Sequence, residues 1–190
     1  MQDIRTRLIE ATFEEVHSNG YTGASLANIL KRANTKKGSM YHYFSSKKEM
    51  VIAMIEERII LRIQNNWEKL ADTDSDIIDF LISILNDTKN WDLQKGCPLG
   101  NLLQENLNYD EDFANILNKI VTQWKILFSK IIEKAIKNKE LKEDLDIESF
   151  STFLIANIEG ALLLSKKSDN TKDFKACMEH LCSYINLYRI

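Results

Sequence analysis

The sequence predicts an all-α fold: an N-terminal three-helix helix-turn-helix unit followed by a larger helical domain, about nine helices in all. Three observations carry this. One proline and six glycines in 190 residues leave few helix breakers. Apolar residues recur at helical spacing through most of the chain. No stretch of alternating Val, Ile and Thr marks a strand. With 44% hydrophobic and 28% charged residues the composition is globular rather than disordered.

The elements follow in order. Ile4, Leu8, Ile9, Phe13 and Val16 share one face of a first helix, which Asn19-Gly20 ends. Tyr21 is expected to tuck against Phe13. A second, short helix runs from Ser25 to Arg32 with Leu26, Ile29 and Leu30 inward. Asn34 tolerates the positive φ of a tight connection. A third helix spans Lys37 to Phe44, with Phe44 in the core. Ser45 or Ser46 caps a fourth, and Glu49 stands at capping-box spacing from Ser46. That fourth helix is long, from Lys47 to about Leu70. A fifth covers Asp74 to Asn90. Gly96-Cys97-Pro98 breaks the chain and starts a short sixth helix bearing Leu99, Leu102, Leu103 and Leu107. Asp110 or Asp112 opens a seventh that runs past Ala135, Asp146 an eighth, and Thr171 a last one reaching Tyr188. The expected division is 1–46 for the helix-turn-helix and 47–190 for the second domain.

Charge is unevenly distributed. The chain carries −3 overall, yet residues 1–50 hold eight Lys and Arg against five Asp and Glu. Lys31, Arg32, Lys36, Lys37, Lys47 and Lys48 fall in a span without an acid. A basic end on an acidic body suits one face presented to phosphate; a solvated lysine-rich surface is the alternative. Helix, tight turn and short basic helix is the layout of a helix-turn-helix whose second helix enters the DNA major groove. Gly38 lacks a Cβ, so backbone can approach a base or phosphate closely. Ser39 is a small donor and acceptor for base edges. Lys36 and Lys37, at the helix start, reach guanine acceptors or flanking phosphates. Tyr41 and His42 offer donors to phosphate, and Lys47 adds a charge at the start of the next helix.

The order Lys37-Gly38-x-x-Tyr41-x-Tyr43-Phe44-x-x-Lys47-x-x-Met50 resembles the signature of TetR-type (tetracycline-repressor-like) transcriptional regulators. Gly20-Tyr21, Ser25-Leu26 and Ile29 match the segment just upstream. The resemblance covers about the first quarter of the chain. It implies DNA-contact roles for Ser25, Lys37, Gly38, Ser39, Tyr41, His42 and Lys47. It also implies a regulator of transcription, most often a repressor, released from DNA by a small-molecule effector.

A helix-turn-helix reads only a few base pairs, so two copies on a twofold axis match a palindrome. Phe153, Leu154, Ile158, Ala161, Leu162, Leu181, Tyr184 and Ile185 are the expected homodimer surface, with Gly160 allowing close helix approach; a monomeric core is the alternative. Gln64, Trp67, Trp91, Cys97, Phe113, Trp124 and Phe128 are the expected effector pocket, apolar walls with sparse polar anchors; a filled core is an equally simple reading. Cys97 at the helix cap before Pro98 is where a helix dipole lowers a thiol pKa, as an electrophile sensor would need, against the alternative of an inert thiol.

Several classes are disfavoured. The chain shows no G-x-S-x-G, P-loop or H-E-x-x-H, so an all-α enzyme stands second, and a helical interaction module without DNA binding third. Cys177, His180 and Cys182 lack a fourth ligand, so neither metal nor cofactor is expected. Three unpaired cysteines fit a reducing cytoplasm. Asp3, Arg5, Arg7 and Glu10 interrupt any secretory segment, and the run Phe150 to Leu164 reads as too short and polar for a bilayer.

Overall fold

Leu8, Ile9, Phe13 and Val16 bury one stripe of α1, Ile4–Gly23, and their burial explains why this helix forms. The computed structural model describes residues 3–106, 111–166 and 171–190; the expected helix positions at Leu107 and Asp110 lie outside them. The Asp3 carboxylate caps α1 by accepting from the Thr6 N–H. Gly20, at φ 73° and ψ 174°, interrupts the helix before its last turn. Glycine alone adopts that conformation without strain.

Three short elements follow: α2, Leu26–Arg32; α3, Lys37–Tyr41; and α4, Lys47–Met54. Ser25 caps α2 and Ser46 caps α4. Glu49 reaches back as a capping box does, but to the N–H and hydroxyl of Ser45 rather than to Ser46. Asn34 has φ 47°, as its turn requires. Helix α3 stops at Tyr41 rather than Phe44: the Tyr43 and Phe44 N–H groups both turn back to the Met40 carbonyl, which ends the helix while driving Phe44 into the core.

The expected long fourth helix is one run over residues 47–72. It comprises α4, a π turn at Ile55–Ile59 and α5, Ile60–Asp72. The π turn is invisible to periodicity and carries adjacent residues that pair with α1, Glu57 with Arg5 and Arg58 with Glu10. Helix α6 spans only Ile77–Asn86, because Asp87 leaves helical geometry and caps a 3-10 turn at Thr88–Asn90. Then come α7, Pro98–Asn106; α8, Glu111–Lys137; α9, Ile147–Ser165; and α10, Lys172–Asn186. With residues 47–72 counted once, the described residues hold nine helices and no strand; an isolated bridge pairs Leu141 with Arg189.

The chain packs as two compact units, neither of which ends at residue 46. One comprises Met1–Gln64 with Asn101–Ile120, the other Asn65–Gly100 with Val121–Ile190. The first unit buries Leu8, Ile29, Met40, Met50, Ile55 and Phe113 completely. Tyr21 lays its ring edge-on against Phe113, centroids 4.7 Å apart. Phe13 meets His17. The second unit packs α10 on α9 and on α6, around Leu81, Phe128, Leu154 and Phe174. Its last residues are tied down: Arg189 pairs with Asp79, and the Lys142 ammonium donates to the Leu187 carbonyl. Helix α9 is longer than the expected apolar run. At 19 residues and a mean hydropathy of 1.4 it meets the length and composition of a membrane span, and it packs on α10.

Candidate nucleic-acid interface

Besides the local serine caps, polar groups from other elements shape the helix-turn-helix. The buried Glu15 carboxylate accepts from the Ser25 N–H (3.3 Å) and the Asn28 amide (2.9 Å), fixing the start of α2 against α1. The Arg7 guanidinium donates to the Asn34 carbonyl and ties down the turn between α2 and α3. Met40 and Phe44 sink into the core. These anchors leave the other face of α3 turned outward.

Lys36, Lys37, Gly38, Tyr41 and His42 are exposed, and Ser39 is half-buried. A Cβ added at Gly38 would meet no atom of the chain. Backbone there is free to approach a flat partner closely. Lys36 occupies the cap position of α3 without a side-chain hydrogen bond, so α3 begins uncapped, with basic side chains at its start. The Lys37 ammonium lies 5.8 Å from the Tyr41 ring centroid. Lys31 and Arg32, in the last turn of α2, are exposed as well. The result is a basic, outward face with hydroxyl and imidazole groups among the lysines, chemistry suited to phosphates and base edges.

Lys47 occupies a different environment. Its ammonium donates to the carbonyls of Tyr21 (2.8 Å) and Ala24 (3.0 Å) and lies 4.6 Å from the Tyr21 ring centroid. It is half-buried and serves as a strut beneath the turn between α1 and α2. Glu105 holds the same stretch through its donors, accepting from the Tyr21 N–H (2.7 Å) and the Thr22 N–H (2.6 Å). Neither Glu15 nor Glu105 stood out in sequence, since an isolated glutamate on an amphipathic helix carries no local signature.

In the second unit the expected effector residues separate. Trp67, Trp124 and Phe128 are buried, with Phe128 4.7 Å from Trp67 and 6.2 Å from Trp124. Trp91 stacks obliquely on Trp67 and on Phe174. Trp67 and Trp91 also line an open cleft of about 530 Å³ with Asn65, Asn66, Ser83 and Asp87. Gln64 and Phe113 belong to the first compact unit. Cys97 lies in the second.

Cys97 directly precedes α7, and the Leu99 and Gly100 N–H groups act to lower its thiol. Burial, and then the neighbouring Glu159 carboxylate, nonetheless push the thiol well above its ordinary value. Desolvation and a nearby negative charge thus work against the lowering that the two amide dipoles supply. Glu159 is itself raised by burial, against the lowering effect of its bond to Cys97. It crowds Gly100 so closely that a Cβ there would fall 2.1 Å from Glu159 Oε2.

Of the expected dimer residues, Leu154, Ile158, Ala161, Leu162, Leu181 and Ile185 are buried within the protomer, where α9 and α10 pack together. Phe153 and Tyr184 are 38% and 37% exposed, and their rings lie 4.7 Å apart. Leu163, Leu164, Leu187 and Ile190 join them as large exposed apolar side chains. A Cβ at Gly160 would meet nothing. Among the described residues no group of three His, Cys, Asp or Glu gathers as a metal site.

Comparisons with known proteins bear on both parts of the chain. Residues 8–54 match the profile of bacterial regulatory proteins of the tetR family. Residues 76–181 match that of the tetracyclin repressor-like C-terminal domain. A helix-turn-helix-type transcriptional regulator from the lacX 3' region of Lactococcus lactis is 30% identical over 172 residues, 87% of this chain and 85% of that one. The transcriptional repressor NemR of Escherichia coli is 27% identical over 187 residues, covering 96% and 94% of the two chains. The crystal structure of reduced E. coli NemR superposes with a TM-score of 0.84 over 95% of each chain.

Proposed function

The chain belongs to the TetR family of helix-turn-helix transcriptional regulators, and from that premise we propose that it binds a palindromic operator as a homodimer, represses transcription there, and is released by a small-molecule effector. The observation that carries the DNA reading is the outward face of α3, where Lys36, Lys37, Ser39, Tyr41 and His42 surround the open backbone at Gly38. Ser25, at the start of α2, contributes to the same contact through the upstream part of the family signature. In a major groove the small side chains of Gly38 and Ser39 admit the helix. The lysines and Tyr41 then hold it to the flanking phosphates.

Dimerisation is supported by the apolar surface that α9 and α10 leave uncovered. Phe153, Leu163, Leu164 and Tyr184 are large and exposed, and Gly160 leaves room for a partner helix. A patch of this kind on two adjacent helices fits an isologous interface. The effector reading rests on the cleft beside Trp67 and Trp91, which combines aromatic walls with amide, hydroxyl and carboxylate groups. A molecule released by this route must bind the DNA-incompetent conformation more tightly than the competent one.

Selection of random duplex DNA by the purified protein, read by sequencing, tests the proposal. Enrichment of an inverted repeat, with half-sites spaced by whole helical turns, is expected. Enrichment of no sequence would count against the operator reading. Loss of a probe carrying the repeat on addition of candidate effectors then identifies the ligand.

A further inference from the structure

We infer that Glu105 is a positioning residue for DNA binding, holding the last turn of α1, just ahead of α2, in the shape that operator recognition requires; this rests on the operator reading above. The sequence places Glu105 more than eighty residues from that turn, yet its two carboxylate oxygens each take one backbone N–H there: Tyr21 at 2.7 Å and Thr22 at 2.6 Å. The positive φ of Gly20 breaks the α1 ladder at this point, so these two donors need a partner from outside the helix. Gly20 also makes the approach possible, because a Cβ there would lie 2.6 Å from Glu105 Oε2.

The same turn is gripped on its carbonyl side by Lys47, through Tyr21 and Ala24. An anion on the donors and a cation on the acceptors hold one short segment between them. Directly after the segment stands Ser25, which caps α2, and α2 leads through Asn34 to α3. A displaced turn therefore shifts the start of α2 and, with it, the seat of the recognition helix. Burial raises the Glu105 carboxyl, but hydrogen bonds from Thr22 and Tyr21 and the charge of Lys47 outweigh it, and the group sits below the usual carboxylate range. It is thus ionised whenever the protein works near neutral pH.

The sign of its effect separates positioning from plain electrostatics. A carboxylate in a DNA-binding unit repels phosphate, so removing its charge alone should tighten binding to any duplex. Removing a positioning contact should instead weaken binding to the operator and leave random DNA unaffected or slightly favoured. Glutamine at this position keeps one acceptor and turns an amide N–H₂ toward the other donor. One hydrogen bond is then lost and the other is no longer charge-assisted, equivalent to about a tenfold effect.

The experiment compares the full-length wild type with Glu105→Gln and Glu105→Asp. The probes are the inverted-repeat duplex recovered by the wild type and a random-sequence duplex of equal length, with helix content checked by circular dichroism at the assay temperature. Expected for the folded Glu105→Gln variant is about tenfold weaker binding to the repeat, with random-duplex affinity equal to or above wild type. Equal or tighter binding to both probes would overturn the inference. Glu105→Asp keeps the charge but withdraws the carboxylate by one methylene, and its repeat affinity should fall between the other two. If Glu105→Gln does not fold, Glu105→Asp decides: weakened repeat binding with unchanged random-duplex binding supports positioning, and wild-type affinity for both refutes it. A wild type that recovers no repeat overturns the operator reading itself, and the inference with it.

Discussion

Replacing Lys47 with methionine separates a strut from a phosphate contact. Methionine keeps much of the length and removes the ammonium that donates to the Tyr21 and Ala24 carbonyls at 2.8 and 3.0 Å. Hydrogen bonds to a charged donor contribute about 1.5–3 kcal/mol each, and the stacked Tyr21 ring adds about 0.5–1 kcal/mol. Water can reach carbonyls in a half-buried turn, which recovers part of that loss. The net cost is then about 2 kcal/mol, or roughly 4–8 °C in Tm for a chain of this size. Thermal unfolding followed by circular dichroism measures it. The salt dependence of operator binding supplies the second readout. A strut makes no ion pair with phosphate, so the slope of log K against log salt should match the wild type while the affinity itself drops. Lys37→Met should do the reverse, because Lys37 is exposed and its ammonium lies 5.8 Å from the Tyr41 ring centroid. Its Tm should hold, and the slope should fall in magnitude by about one unit. The strut account is refuted if Lys47→Met melts with the wild type and lowers the salt slope as a lost phosphate contact does.

Two further outcomes follow from the second unit. Cys97 should alkylate with iodoacetamide slowly at neutral pH, and its rate should climb only at pH above the ordinary thiol range. Glu159→Gln removes a negative neighbour and should move that profile to lower pH, while burial keeps it above a free thiol. A rate plateau already reached at neutral pH would contradict the burial argument. Leu164→Glu with Phe153→Glu should convert a dimer to a monomer in sedimentation equilibrium with little change in helix content, since both side chains are exposed in the protomer. An unchanged mass would remove α9 from the interface.

Local signals in the sequence were strong where the chain's own neighbours decide the outcome. Ser25, Ser46 and Asp146 cap the helices they precede, and Asn34 takes the positive φ that its turn demands. Periodicity located every long helix, because burial of one stripe is what forms them. The π turn at Ile55–Ile59 was not legible, since a one-residue shift of register lies within the scatter of an apolar face as broad as this one. Tertiary partners were the least legible. Leu181 and Ile185 read equally well as interface or as core, and only the packing of α10 on α9 assigns them to the core. The position of Cys97 ahead of α7 was readable, but the burial of its thiol and the carboxylate of Glu159, sixty-two residues away, were not, and both push the thiol upward. Lys47 and Glu105 make the same point for the DNA-binding unit. Their family motif or helix position says nothing of the backbone turn between them.

The account turns on α3 being the element that reads sequence. Repeating the duplex selection with Ser39→Ala and Lys37→Ala tests this most directly. Each variant should relax or change the preference at particular positions within the half-site, by about 1–3 kcal/mol for a true base contact, while the spacing between half-sites stays the same. Variants that recover the wild-type repeat unchanged, with only a uniform loss of affinity, would contradict α3 as the reader and leave it a phosphate clamp.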